Sequence, residues 1–342
     1  MRASPSGYSR DDTSRQAGDA ISAILAAAEL AILAAIAAAV RAVLAGQPQG
    51  IVTRRLQSAV TTAIMQARAG VAGHLPQASR AVREDVQRVL AAELGGLARF
   101  LPAAPLPSLA RLAGDIRKAE LTAAESAMLD YRRIVSRIAA LTGPVRAAAA
   151  QSLLDDLAGT GIRAFTGRDG HHWGLAAYAE AAASGAVAQA HAAAQAAAYG
   201  EAGIGLVIVV RSSPAPPCSR CAPYVGHVLA LGHLSGSVRA ADAAGNFRTA
   251  HVLTTVADAT AHGLLHPGCR DGLAPWADGA DLSGEIPHGP GWIAAQRRRY
   301  RDEQDQRRQE RAMRIAGRQH AVALTPQART RARRLIRHLD AS

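Results

Sequence analysis

Apolar residues recur every three or four positions along much of the first 141 residues, a spacing typical of amphipathic helices. The pattern is clear in IVTRRLQSAVTTAIMQARAGVAG and in AVREDVQRVLAAELGGLARFL. Glycine and proline predict breaks at Gly46–Gly50, at Gly73–Pro76 and at Leu101–Ser108. The segment from Asp11 to Leu141 is therefore predicted to form antiparallel helices or a loose bundle.

The pattern changes near Gly203, where β-branched residues replace alanine. Before this point the sequence predicts a helix at Val145–Ala158, a turn-rich segment at Phe165–Gly174 and an alanine-rich helix at Leu175–Tyr199. After it, IGLVIVVRS and YVGHVLAL are typical of strands, and the polar segment Gly232–Gly245 is predicted to be an exposed loop.

These patterns predict a mostly α protein with a small α+β module and a basic C-terminal helix. The 342 residues are 49% apolar but only 4% aromatic, so helices that pack through alanine are expected. Four regions are predicted: helical residues 1–144, a helical segment 145–202, a small β-containing module 203–292 and an arginine-rich helix or tail 293–342.

The segment Ala20–Gly46 is apolar enough to raise the question of a membrane span. Glu29 and Arg41 interrupt it and leave eleven apolar residues between them, fewer than the roughly 20 that cross a bilayer. A buried or partner-facing helix is therefore favoured over a membrane span. The polar first twenty residues do not resemble a secretory signal.

All three cysteines occur in two short stretches, PAPPCSRCAPYVG and LLHPGCRDG. The Cys-x-x-Cys pair and the His-Pro-Gly-Cys unit supply four ligands suited to tetrahedral Zn²⁺. The prediction is a structural zinc site at Cys218, Cys221, His266 and Cys269, because four protein ligands leave no open position for a substrate.

Other interpretations of the cysteines remain open. A disulfide between two of them would leave the third unpaired, and three buried, unliganded cysteines are also possible. Four further histidines compete for the fourth ligand position: His227, His233, His251 and His262. The sequence contains no GxSxG elbow, phosphate-binding glycine loop or convincing carboxylate pair, so we do not expect an enzyme.

The formal net charge of +12 is concentrated near the C-terminus. Residues 296–342 contain 14 arginines and 5 acids, which gives +9. Such a segment is either a solvated helix or a contact for the phosphates of double-stranded DNA that does not read sequence. The candidate residues are Arg297, Arg298, Arg299, Arg301, Arg307, Arg308, Arg311 and Arg314.

The order of several weak motifs resembles the phage minor capsid proteins of the head-morphogenesis (Mu F-like) group. The motifs are RDGHHWGLAAYAE, the strand GIGLVIVV, CSRC, GLLHPGCRDG and the helix bearing QDQRRQER, and they extend over about Phe165–His320. The resemblance implies a structural protein of the virion head, assembled in the host cytoplasm beside the portal protein and capsid. The alternative is a non-structural zinc-knuckle protein that binds nucleic acid through a basic tail.

Overall fold

The computed structural model describes residues 12–94, 106–167, 170–211, 220–242, 245–265, 271–276 and 290–341. The described chain is mostly helical, as predicted, with a small sheet region. Its helices are α1 Asp12–Leu44, α2 Gln49–Leu94, α3 Pro107–Ile138, α4 Gly143–Thr160, α5 Leu175–Glu201, α6 Val256–Ala261, α7 Pro290–Val322 and α8 Pro326–Asp340. Its strands are β1 Arg163–Thr166, β2 His172–Gly174, β3 Leu206–Arg211, β4 Val228–Ala230, β5 Gly236–Ala241, β6 Phe247–Thr255 and β7 Asp271–Pro275.

The chain divides into two compact units, and each unit is assembled from three separate segments. The first unit comprises Met1–Asp19, Leu75–Leu112 and Ala181–Glu303. The second unit comprises Ala20–His74, Ala113–Glu180 and Gln304–Ser342. Helices α1, α2, α3, α5 and α7 therefore contribute residues to both units.

The predicted break at Gly46–Gly50 is present, but the predicted break at Gly73–Pro76 is wrong. Helix α1 ends at Leu44 and Gly46 has a φ of +81°, whereas α2 continues through Pro76 to Leu94. A proline inside a helix costs about 3 kcal/mol. Buried apolar positions continue at helical spacing on both sides, among them Val71 and Val82, and this burial outweighs the cost.

Helix α1 is long and apolar enough to cross a membrane by length and composition alone. Half of its most apolar window is buried within the protein. Both charges that interrupt this window have partners in the second unit: Glu29 binds Arg318, and Arg41 donates to the carbonyl oxygen of Ala323 at 3.2 Å. These contacts favour a core helix.

The carboxylate of Glu29 connects several elements of the second unit. Its Oε1 accepts the backbone N–H of Ile162 at 2.9 Å, and its Oε2 pairs with Arg318 at 3.2 Å. The same guanidinium donates to the carbonyl oxygens of Ala158 at 2.7 Å and Gly159 at 3.2 Å. The last carbonyl groups of a helix have no hydrogen-bond donor within the helix, and Arg318 supplies donors to two of them at the end of α4. The same side chain neutralises the carboxylate of Glu29, which is only 2% exposed.

Two glycines leave room for this carboxylate. A Cβ atom on Gly161 would lie 2.6 Å from Glu29 Oε1 and 2.9 Å from Arg318 Nη1. A Cβ atom on Gly174 would lie 3.2 Å from the same carboxylate oxygen. Gly161 also ends α4 with φ +77° and ψ 176°, a combination found almost only in glycine.

The first unit contains a five-stranded sheet in the order β5-β6-β4-β3-β7. Strand β3 is antiparallel to both of its neighbours, β4 and β7, whereas β4 and β6 are parallel. The predicted strands at IGLVIVVRS and YVGHVLAL are observed as β3 and the short β4. The prediction of a loop throughout Gly232–Gly245 is wrong, because Gly236–Ala241 pairs with Phe247–Val252 as β5.

Buried side chains of α5 hold the sheet within the first unit. The hydroxyl of Tyr199 receives a hydrogen bond from Gln195 at 2.8 Å and lies 3.4 Å from the carbonyl oxygen of Leu273 in β7. On the same helix, buried His191 lies 3.2 Å from the carboxylate of buried Asp85 in α2. Helix α5 therefore packs mainly through alanine, and the polar side chains of His191, Gln195 and Tyr199 add hydrogen bonds and an ion-pair contact to that packing.

We predict that Gly161→Ala destabilises the protein more than Gly143→Ala does, although both positions have positive φ. An L-residue at positive φ costs about 1–2 kcal/mol, and no atom lies within 4 Å of the Cβ position at Gly143. Gly161→Ala should cost about 1–3 kcal/mol more, because its methyl group displaces the Glu29–Arg318 pair. Urea unfolding of the two variants measures the difference, and equal losses would contradict it.

Candidate metal centre and nucleic-acid interface

Three neighbouring strands bring their loops to one edge of the sheet. Because β3 is antiparallel to both β4 and β7, the end of β3 lies beside the beginnings of its two neighbours. Arg211, the last residue of β3, is paired with Asp271, the first residue of β7. The Cys-x-x-Cys segment joins β3 to β4, and the His-Pro-Gly-Cys segment precedes β7, so the strand ends that flank the two segments lie at this edge.

Of the four predicted zinc ligands, only Cys221 lies within the described residues. It is fully buried and begins a turn in which its carbonyl oxygen accepts the N–H groups of Tyr224 at 2.9 Å and Val225 at 3.2 Å. Cys218, His266 and Cys269 lie outside the described residues. Asp271, two residues after Cys269 in the sequence, is described and begins β7.

The described residues that flank the two motifs approach each other closely. A Cβ atom on Gly263 would lie 3.2 Å from Cδ of Arg220, the residue before Cys221. Gly263 has a φ of +107°, and Leu265, immediately before His266, is the single non-glycine residue with positive φ in the described chain. The turn that leads to His266 therefore lies against the turn that contains Cys221.

The competing histidines differ in their surroundings. His262 is exposed, and its Nδ1 lies 2.9 Å from the carbonyl oxygen of Asp258. His251 is paired with Ser237 in the β5–β6 hairpin and directly precedes Val252, which pairs with Val228 at the beginning of β4. His227 directly precedes β4, and its carbonyl oxygen accepts the N–H of Val209 in β3. His262 directly precedes Gly263, and His233 is exposed. Among the residues that the structure describes, no group of three or more His, Cys, Asp or Glu side chains could hold a metal ion.

The motif that begins at Gly167 forms the β1–β2 hairpin and the start of α5. The N–H of Gly167 donates to the carbonyl oxygen of His171 at 2.8 Å, and Gly170 has a φ of +77°. The ring of Tyr178 stacks on Phe165 with 4.9 Å between centroids. Burial, together with the nearby Asp115 carboxylate, raises the pKa of Tyr178. The motif therefore specifies a turn and a packing contact.

The predicted DNA-contacting arginines lie on α7, and several of them already contact acids. Arg308 pairs with Asp305, and Arg314 pairs with Glu180 at 3.2 Å. Four others have exposed side chains: Arg298, Arg301, Arg307 and Arg311. The side chains of Arg297 and Arg299 lie outside the described part of the chain. The basic helix is thus part solvent-facing and part anchored in the second unit.

Sequence reasoning missed Arg318 as a structural residue. Arg307, Arg311, Arg314 and Arg318 are spaced by four, three and four residues, which places them on one face of α7. This spacing could have indicated a row of arginines that contacts other helices of the protein. It could not have identified Glu29, because the two residues are 289 positions apart.

Residues 113–342, about two thirds of the chain, match the family described as phage minor capsid protein 2. No curated protein and no solved structure matches the chain significantly. The chain belongs to the phage minor capsid protein 2 family, which confirms the predicted class. It is a structural phage protein, and membership implies association with capsid components in the virion.

Proposed function

We propose that the protein joins the phage head beside the portal protein during assembly in the host cytoplasm, through its N-terminal helical region. Family membership supports a role in the capsid, and the surface of α3 supports a protein contact. Leu121 and Leu129 are 57% and 52% exposed. They lie eight residues apart on one face of the helix. A partner that covers both leucines would remove their apolar surface from water, which favours association.

Deletion of the N-terminal region would be a poor test of this contact. Residues 20–74 form part of the second unit and residues 75–112 part of the first, so truncation would remove core from both units. Loss of Glu29 alone would leave Arg318, only 11% exposed, without its partner carboxylate. Surface substitutions in the full chain avoid this problem.

We predict that the double variant Leu121→Gln, Leu129→Gln reduces copurification of the full chain with portal from procapsids at least several-fold. The substitutions remove apolar contact area and leave the core intact. Arg132→Gln with Ser136→Gln changes exposed positions of the same helix and serves as the control. Wild-type copurification of the leucine variant would contradict a portal contact at this face.

The proposed cofactor is a structural Zn²⁺ held by Cys218, Cys221, His266 and Cys269. Support comes from the common sheet edge, the burial of Cys221 and the contact between Arg220 and Gly263. Thiolate and imidazole ligands in this spacing suit tetrahedral zinc. The metal would tie together two loops whose covalent connection is more than forty residues long.

We predict that the purified full chain contains about one equivalent of zinc and that Cys269→Ser lowers this below half, because a three-ligand site binds more weakly. Elemental analysis measures the content. His262→Ala is the matched control and should retain zinc, since this ring is exposed and contacts Asp258. Less than half an equivalent in the wild-type chain would overturn the proposal, and loss in His227→Ala but not His266→Ala would reassign the fourth ligand.

The proposal includes a DNA contact through the arginines of α7 that does not read sequence. Support comes from the exposure of Arg298, Arg301, Arg307 and Arg311. The acids between them argue against a tight major-groove reader, because they repel the phosphates that flank the groove. Weak, salt-sensitive binding is the expected behaviour.

If the arginines of α7 neutralise about six phosphates, their contribution to the slope of log affinity against log salt should be roughly −5 on double-stranded DNA. Replacement of Arg297, Arg298, Arg299 and Arg301 by glutamine should make this slope shallower by about 3 to 4. Fluorescence titration at several salt concentrations measures both slopes. Absence of binding at low salt, or an unchanged slope in the variant, would leave a solvated helix as the explanation of this charge.

A further inference from the structure

The last helix of the chain, α8, separates its apolar and basic residues on opposite faces. Ala328 and Ala332 are buried within the second unit. The five arginines of α8 are all exposed, and Asp340 is its only acid. At 100° per residue the arginines occupy an arc centred opposite the two alanines. These arginines are Arg329, Arg331, Arg333, Arg334 and Arg337.

Much of the charge on this face is not neutralised by the protein. Arg331 pairs with Asp155 at 3.3 Å, and Arg333 donates to Nε2 of His320 at 3.1 Å. Within the described part of the chain, Arg329, Arg334 and Arg337 have no ion-pair or hydrogen-bond partner for their side chains. Helix α7 differs because acids are interleaved with its arginines: Asp305 of the same helix pairs with Arg308, and Glu180 of α5 pairs with Arg314.

The helix that carries these arginines is fixed at both ends. The Oγ1 of Thr325 accepts the N–H of Ala328 at 3.1 Å and caps the first turn. The N–H of Leu324 donates to Gln151 at 2.7 Å, and the side chain of Gln309 donates to the carbonyl oxygen of Leu339 at 2.8 Å. A fixed helix loses little conformational freedom when its side chains bind a ligand.

The charge distribution fits an extended polyanion. Arg329, Arg333 and Arg337 recur every four residues, about 6 Å along the helix axis, and duplex DNA carries a negative charge every ~1.7 Å of its axis. A membrane surface fits less well, because a basic interfacial helix inserts its apolar face. On α8, Ala328 and Ala332 of that face are buried within the protein, and Leu335 beside them is 39% exposed.

We propose that the exposed arginine face of α8 binds the phosphate backbone of double-stranded DNA without reading its sequence. The inference extends the DNA contact proposed for α7 and rests on it only for the identity of the polyanion. It adds a surface with more net charge per residue than α7, +4 over 15 residues against +5 over 33. Within the described part of the chain, three of its arginines have no acid to displace. Neither head incorporation nor zinc binding depends on it.

The test uses the full chain and short duplexes of two unrelated sequences in a salt titration. The triple variant Arg329→Gln, Arg334→Gln, Arg337→Gln should make the slope of log affinity against log salt shallower by about 2.7, equally on both duplexes. The charge-conserving lysine variant at the same positions should retain the wild-type slope. Replacement of Arg54, Arg55 and Arg132 by glutamine removes the same charge elsewhere and should leave the slope unchanged.

A wild-type slope in the α8 glutamine variant would overturn the proposal, as would an equal loss in the Arg54, Arg55, Arg132 control. Binding of the wild-type chain to anionic phospholipid vesicles but not to DNA would also overturn it, in favour of a membrane surface. Arg298→Gln, Arg301→Gln, Arg307→Gln tests α7 separately: an unchanged slope there would remove α7 from the DNA contact and leave α8. Procapsid copurification of the same variants reports on the head function independently.

Discussion

The buried carboxylate of Glu29 is the constraint on which the second unit depends. An ionised carboxylate inside a protein needs a cation and hydrogen-bond donors to offset its lost hydration. Arg318 and the N–H of Ile162 provide them, and this fixes α1 against the end of α4 and against α7. Removal of one partner from such a pair typically costs about 3–5 kcal/mol, because the other charge is left buried.

The same interaction accounts for sequence features that otherwise lack a reason. Gly161 and Gly174 are glycines because a Cβ atom would intrude on the carboxylate. Arg318 both pairs with Glu29 and caps the carbonyls at the end of α4. Helix α1 is therefore a core helix, although its length and composition would allow a membrane span. Its central acid, Glu29, pairs with Arg318, which is 289 residues later in the sequence.

In the first unit, the strand order has a comparable role. Because β3 lies between two antiparallel neighbours, segments separated by more than forty residues arrive at one edge of the sheet. The Cys and His motifs follow or precede these strands directly. A metal at this edge would stabilise loops outside the hydrophobic core that contains Leu206, Val252 and Trp276. The arginines at the end of α7 and on α8 differ in the second unit: Arg318 pairs with a buried carboxylate, whereas the arginines of α8 are exposed.

The sequence by itself determined the helical class, most helix positions, the strands at β3 and β4, and the family, because periodicity and motif order are local properties. It predicted a helix break at Pro76 and a loop at Gly236–Ala241. Proline and glycine disfavour regular structure locally, and the apolar pattern around them is too weak to indicate a helix or a strand on its own. In the folded protein, burial along α2 keeps the helix continuous through Pro76, and pairing with β6 makes Gly236–Ala241 a strand. Tertiary structure also decided which charges are structural. Arg318 and Arg334 are both arginines on basic helices, but the fold places a buried carboxylate beside the first and, within the described residues, none beside the second. A partner 289 residues away leaves no trace in the local sequence pattern.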